Sequence, residues 1–213
     1  MAVNVNNAFV GTPPIDGGVY FNAPVGTALP EEATAALDEK FKDHGAVGPD
    51  GFTVAPQRTS NTEKMFGGSD YIDIQTEYTE EISITLLEDD NDAVIETSFG
   101  GENYKKTEAT DSDGTKRTIF HTERQLPIKS HVIKAVSGEK SKTYVIPRGR
   151  VSTVEKSADV HSASTKTTLT IKAFKSPVKE HNGAFVIEYR DSGVPDTAAE
   201  SGDSAGSELS STG

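Results

Sequence analysis

The stretch YIDIQTEYTEEISITLLEDDND, residues 71–92, decides how this sequence is read. From Ile72 the even positions run Ile72, Ile74, Thr76, Tyr78, Glu80, Ile82, Ile84 and Leu86; the odd ones run Asp73, Gln75, Glu77, Thr79, Glu81, Ser83 and Thr85. Period-two alternation puts the two sets on opposite sides of an extended strand, with only Glu80 out of place. At roughly 3.3 Å per residue a single strand of this length spans about 50 Å, long for a small domain. A hairpin turning near Thr79–Glu80 is the competing reading, and alternation does not choose between them. In both, one face is apolar and the other polar and acidic, for the stretch holds eight carboxylates and no Lys or Arg.

Outward from this stretch the pattern stays β-rich. An extended arm (1–16) precedes GGVYFNAPVG (17–26), a short strand ending in a turn, and DGFTVAPQRT (50–59) holds a turn and a strand. Between them LPEEATAALDEKFKDHG predicts a helix, with Pro30 in the first turn, Ala33, Leu37 and Phe41 as an apolar stripe, Asp38 poised for Lys42, and Gly45 as the stop. Asp89, Asp90 or Asn91 can cap a short helix through Phe99. Residues 104–123 read as a hairpin around Asp113-Gly114, and further strands follow with Ser137-Gly138 as a turn. In STKTTLTIKAFKS, Leu169, Ile171 and Ala173 alternate with Thr168, Thr170 and Lys172, and NGAFVIEYRD closes the set. The expected fold is mainly β, an antiparallel β-sandwich or barrel with one short flanking α-helix, over residues 17–190. The last residues, 191–213, are Gly, Ser, Ala and acids, and are expected to be a disordered acidic tail.

The 213 residues carry a formal net charge of −12 and no cysteine. Thiolate chemistry and disulfides are therefore excluded, and a surface that grips phosphates is disfavoured. The charge is uneven: residues 66–103 hold no base and 11 acids, residues 104–190 hold 17 bases and 9 acids. An acidic block followed by a basic one suits identical subunits stacking so that an acidic face of one meets a basic face of the next. The start shows neither a basic n-region nor an apolar h-region, and no apolar run approaches the ~18 residues of a membrane helix, so neither a secretory signal nor a membrane partner is expected.

No catalytic constellation stands out. His44, His121, His131, His161 and His181 are scattered, read as surface residues and form no ligand pair. DSDG (111–114) opens like a calcium loop, but Thr115 and Lys116 follow where ligands are needed. Asp73, Glu77 and Glu81 stand roughly 13 Å apart along an extended strand, too far for an acid–base couple. No enzyme activity, cofactor or metal site is expected.

Two stretches, residues 17–61 and residues 65–101, resemble in their order of features the first half of the major tail proteins of long-tailed bacteriophages, especially those infecting actinobacteria. The features are a glycine-led strand, an Ala-Pro-x-Gly-Thr turn (23–27), a Leu-Pro start, an Asp-Gly turn and strand, then MFGGSD and the long strand. Phe66-Gly67-Gly68 stands where many of those proteins carry Trp-Gly-Gly, and residues 102–190 match only in general strand character. The resemblance implies a tail-tube subunit. Such subunits form hexameric rings that stack head to tail into a hollow virion tail around a tape-measure protein. The tail is assembled with other tail proteins in the host cytoplasm and conducts DNA at infection. On that reading Asp73, Gln75, Glu77, Thr79 and Glu81 face the lumen, where negative charge lets DNA slide, and the N-terminal segment and a hairpin at Tyr104–Glu123 supply stacking arms. A capsid decoration protein or adhesin domain is the alternative that shares the β-rich, enzyme-free character.

Overall fold

The computed structural model describes residues 3–14 and 18–193. The expected acidic tail falls, from residue 194 on, outside the described residues. The elements are β1 (Tyr20–Pro24), β2 (Lys42–Asp43), β3 (Val47–Lys64), β4 (Asp70–Leu86), α1 (Asp92–Phe99), β5 (Tyr104–Thr107), β6 (Lys116–Ile119), β7 (Lys129–Ser137), β8 (Lys140–Lys156), β9 (Thr167–Ala173) and β10 (Ile187–Asp191). The fold is mainly β and antiparallel, with one α-helix among the described residues.

Residues 70–86 form one unbroken strand with no hairpin at Thr79–Glu80. The sheet order is β2-β1-β7-β8-β9-β4-β3, with β10 added beside β8. Only His44–Ala46 separate β2 from β3, so one run of chain pairs with β1 at its start and with β4 beyond it. The His44 amide donates to Tyr20 O and the Leu87 amide to Ala46 O, which carries the connection across and curls the sheet onto itself as a barrel-like sandwich. The interior is the main core: Tyr20, Ile82, Ile84, Leu86, Ile133, Ile146, Leu169 and Ile171 are essentially inaccessible. The alternations read from Ile82–Leu86 and Leu169–Ala173 set which side chains enter it. Asn91 caps α1 by accepting from the Ala93 amide, and Val94 reaches this core. Gly138, with φ at 62°, makes the tight turn between β7 and β8.

The helix expected over residues 30–44 is not formed; the segment is a series of turns. The apolar residues that predicted it are nonetheless the ones that pack. Ala33 and Phe41 are buried and Leu37 is partly so, covering the outer side of β7 and β8 around Val132 and Val145. The sheet has taken the carbonyls a helix would use. Thr143 Oγ1 donates to Ala33 O at 2.7 Å and Lys134 Nζ to Ala35 O at 2.8 Å. Tertiary bonding overrides a short helical propensity here. Asp38 accepts from the Lys40 amide, and Lys42 pairs with Glu96 instead.

Candidate functional site

One group of buried polar side chains gathers around Tyr20. Its hydroxyl lies 2.8 Å from His131 Nδ1, and its ring stands 4.3 Å from that of His44. Asn22 Nδ2 reaches His44 Nε2 and Thr97 Oγ1, at 3.0 and 2.6 Å, and Lys129 Nζ donates to Asn22 Oδ1. The expectation that the histidines lie on the surface fails for these two, which are inaccessible. Burial pushes the His44 imidazole down to about 3 and His131 down to about 4, with the Lys129 charge adding to both. Burial likewise raises the Tyr20 phenol. These are neutral, interlocked groups closed to solvent, which suits holding β1, β7 and α1 together and not turnover. Among the described residues no group of His, Asp or Glu is placed to hold a metal ion.

The exposed feature is an arm. Every residue from Pro56 to Glu77 is exposed, so the outer parts of β3 and β4 leave the body as a two-stranded hairpin. Its tip is closed by Met65–Ser69, where Gly67 and Gly68 take φ of 101° and 94° and the Met65 amide donates to Ser69 O. The sequence signal for the arm lay in PQRTSNTEK (56–64), a strand run with no apolar residue and hence no core to face. The hairpin expected at Tyr104–Glu123 forms as a short antiparallel β5–β6 pair. Asp92 clamps it, accepting from Tyr104, Lys106 and Arg117, and these bonds hold its carboxyl well below the usual carboxylate range.

The arm divides the five residues expected on one acidic face. Thr59 pairs with Glu77 but Ser60 with Gln75, so Thr76 is an extra residue, a β-bulge. Paired residues share a face. Since β3 alternates evenly here, Ser60 and Thr62 lie with Arg58, and their partners Gln75 and Asp73 therefore lie with Tyr78, Arg58's partner. Arg58 over the Tyr78 ring and Thr62 donating to Asp73 agree. Glu77, Thr79 and Glu81 remain together on the other face, which Ile72 and Ile74 join beyond the bulge. Simple alternation missed this because one inserted residue inverts everything beyond it. Glu80, the exception in the apolar series, sits where the arm enters the body. It is buried, accepts from Tyr78 OH at 2.9 Å, and burial raises its carboxyl.

Below the arm, β8, β9, β4 and β3 form a four-strand wall with one side in the core. Its other side presents Glu81, Ser83 and Thr85 beside Lys172, Thr170 and Thr168, and these beside Arg150, Thr153 and Glu155. Thr85 and Thr168 hydroxyls meet at 2.9 Å. The face is rich in hydroxyls and mixed in charge, not wholly acidic, because folding brings Lys172 against Glu81. Among the described residues, β3 beyond Phe52 pairs only with β4, and β8 from Val151 to Lys156 pairs only with β9. Both sides of the wall therefore end in free edges.

No family model matches the sequence, and no curated protein matches it. Two solved structures resemble the fold. One is a chain of the sheath–tube complex of an extracellular contractile injection system in its extended state, with a TM-score of 0.40 and 7% identity over 86% of this chain and 94% of that one. The other is the tube-terminating cap of the anti-feeding prophage, with a TM-score of 0.42 and 8% identity over 90% of this chain and all of that one.

Proposed function

We propose that the chain is a structural subunit of a hollow tail tube, self-assembling into rings that stack head to tail. The observation that carries this is the wall with its two free edges. Exposed edges are a liability that proteins normally blunt or cover. Four alternating strands end in edges of opposite direction. The β3 edge of one copy can thus continue antiparallel into the β8 edge of the next with both copies in the same orientation, the relation that closes a ring. A hexameric ring agrees with the tail-protein resemblance of residues 17–101.

In such a ring the hydroxyl-rich wall faces the bore, with Glu77, Thr79 and Glu81 lining it, while the bulge turns Asp73 and Gln75 to the other side of the arm. A bore with few unpaired cations releases few counterions from passing DNA and so does not hold it. The tube would enclose a tape-measure protein, join other tail proteins in the virion tail, form in the host cytoplasm and conduct DNA at infection. It would need neither cofactor nor catalysis.

Cryo-electron microscopy of the concentrated protein tests this. Hollow tubes with Glu77, Thr79 and Glu81 around the bore are expected. Tubes with those residues outside would keep the tube and overturn the lumen assignment, and closed particles of another symmetry would overturn the tube.

A further inference from the structure

The two ends of β3 are unfilled in complementary ways. At the arm tip Phe66 is wholly exposed and Met65 is half exposed, each without apolar cover. At the start of the strand, Val47 and Phe52 join Val19, Tyr144 and Phe9 around a groove of about 470 Å³. An isolated two-stranded hairpin is marginal in water, and an exposed aromatic at its end gains only when something receives it.

We infer that the arm tip of one copy seats Phe66 in this groove of a second copy, as the contact that stacks successive rings; the inference rests on the tube reading above. A copy cannot fill its own groove. The strand runs from Phe52 to Lys64 before the tip, which at roughly 3.3 Å per residue sets the two about 40 Å apart. The charges agree. Glu63 and Asp70 flank the tip, Asp70 sharing Lys64 in an exposed pair, and residues 56–77 hold four acids against two bases. At the groove stands Lys142, its ammonium 4.0 Å from the centre of the Phe9 ring. Lys140 is beside it, donating to the carbonyls of Asn6 and Ala8. The N-terminal segment thereby forms one side of the receptor, tied to β7 through the Thr12–Val136 bridge. Tip and groove are different surfaces, so the contact is head to tail and repeats without limit.

The absence of cysteine makes the test clean. Met65→Cys places a thiol at the tip and Asp50→Cys one at the groove rim, both on exposed positions. Under mild oxidation, a mixture of the two single variants is expected to give a covalent dimer, neither variant alone to give one, and the double variant to give a ladder. Phe66→Ala, which removes only exposed atoms, is expected to weaken the contact about tenfold or more and to lower the cross-linked yield accordingly. Dimers of Met65→Cys with itself, or a yield indifferent to Phe66→Ala, would overturn the inference. Electron microscopy of the same samples separates it from the tube reading. Tubes without the cross-link discard this contact and keep the tube. Cross-linked ladders that never become hollow keep the contact and discard the tube. Isolated monomers with no cross-link count against both.

Discussion

The two halves of β4 each alternate, on either side of the bulge, and meet opposite fates. From Glu80 to Leu86 the even residues enter a core closed on all sides, and Ile82, Ile84 and Leu86 are inaccessible. From Asp70 to Glu77 the strand has only β3 beside it, and Ile72 and Ile74 are 45% and 46% exposed. Within each half alternation states which side chains share a face, but not whether anything covers that face. A strand that outruns its own core leaves its far end uncovered, so the body and the arm should respond differently to every perturbation.

Acid gives the largest contrast. The body contains His44 and His131, held neutral by burial with pKa values near 3 and 4, whereas residues 56–77 contain no histidine. In the unfolded chain both take up a proton near the ordinary value of about 6.5. Their contribution is therefore whole above that value and is lost as pH falls towards 4 and then 3. The slope is up to about 1.4 kcal/mol per pH unit for each histidine. Denaturant unfolding at pH 7 and pH 5 should show a loss of several kcal/mol by this order-of-magnitude reckoning. His131→Gln, which leaves Tyr20 a partner, should remove about half of the histidine-linked pH dependence while lowering stability at pH 7. An unchanged pH dependence in that variant would mean that the buried network does not govern acid sensitivity.

A matched pair of substitutions on the one strand gives the next effect. Ile84→Ala deletes buried methyl groups beside Leu169 and is expected to cost about 2–5 kcal/mol. Ile74→Ala removes half-exposed atoms from the arm and should cost the monomer no more than about 0.5 kcal/mol. Both are read from urea midpoints below the concentration of assembly. At assembling concentrations the order is expected to invert in one respect, because only the arm variant should alter the polymers while leaving the subunit folded. Equal costs in the monomer would show that the arm folds back onto its own body.

Much of the body was legible in the sequence because period-two patterns at 82–86 and 167–173 face a common interior. The α1 cap at Asn91 and the turn at Gly138 were legible for local reasons, a side-chain acceptor and a positive φ. Residues 30–44 misled because Ala33, Leu37 and Phe41 satisfy helical spacing while also fitting a loop pressed on a sheet. Only Thr143 and Lys134, some 110 and 99 residues away, decide between the two. The buried histidines were illegible for a related reason. A scattered imidazole declares nothing until folding brings Tyr20, Asn22 and Thr97 around it. For the wall, the acids of β4 were visible, but their neighbour Lys172 belongs to another strand, so the charge of the face could not be read from one segment.

The bulge at Thr76 is the smallest feature and the sharpest instrument for the comparison. Deleting Thr76 restores unbroken pairing from Phe52 to Glu63, since Glu77 and Gln75 would then stand against consecutive residues of β3. Gln75 and Asp73 would keep Ser60 and Thr62 as partners on the side of Arg58 and Tyr78, and Ile72 and Ile74 would stay on the side of Glu77, so the deletion removes the bulge and its added twist without moving a side chain to the other face. The body is untouched, because Glu80 to Leu86 keep their partners on β9 and β3. Monomer stability is therefore expected to stay within about 1 kcal/mol, as for an exposed hairpin whose ladder gains order and loses one Thr76–Thr59 hydrogen bond. Assembly should still suffer, because a bulge sets the local twist of the strand and so where the arm delivers Phe66. The measurement is tube length and number by electron microscopy at matched concentration. Full-length tubes from the deletion variant would show that the arm acts through its tip alone, with the shaft serving only as a spacer. Folded subunits that no longer stack would show that the twist set by one inserted residue is what aims the tip at its contact.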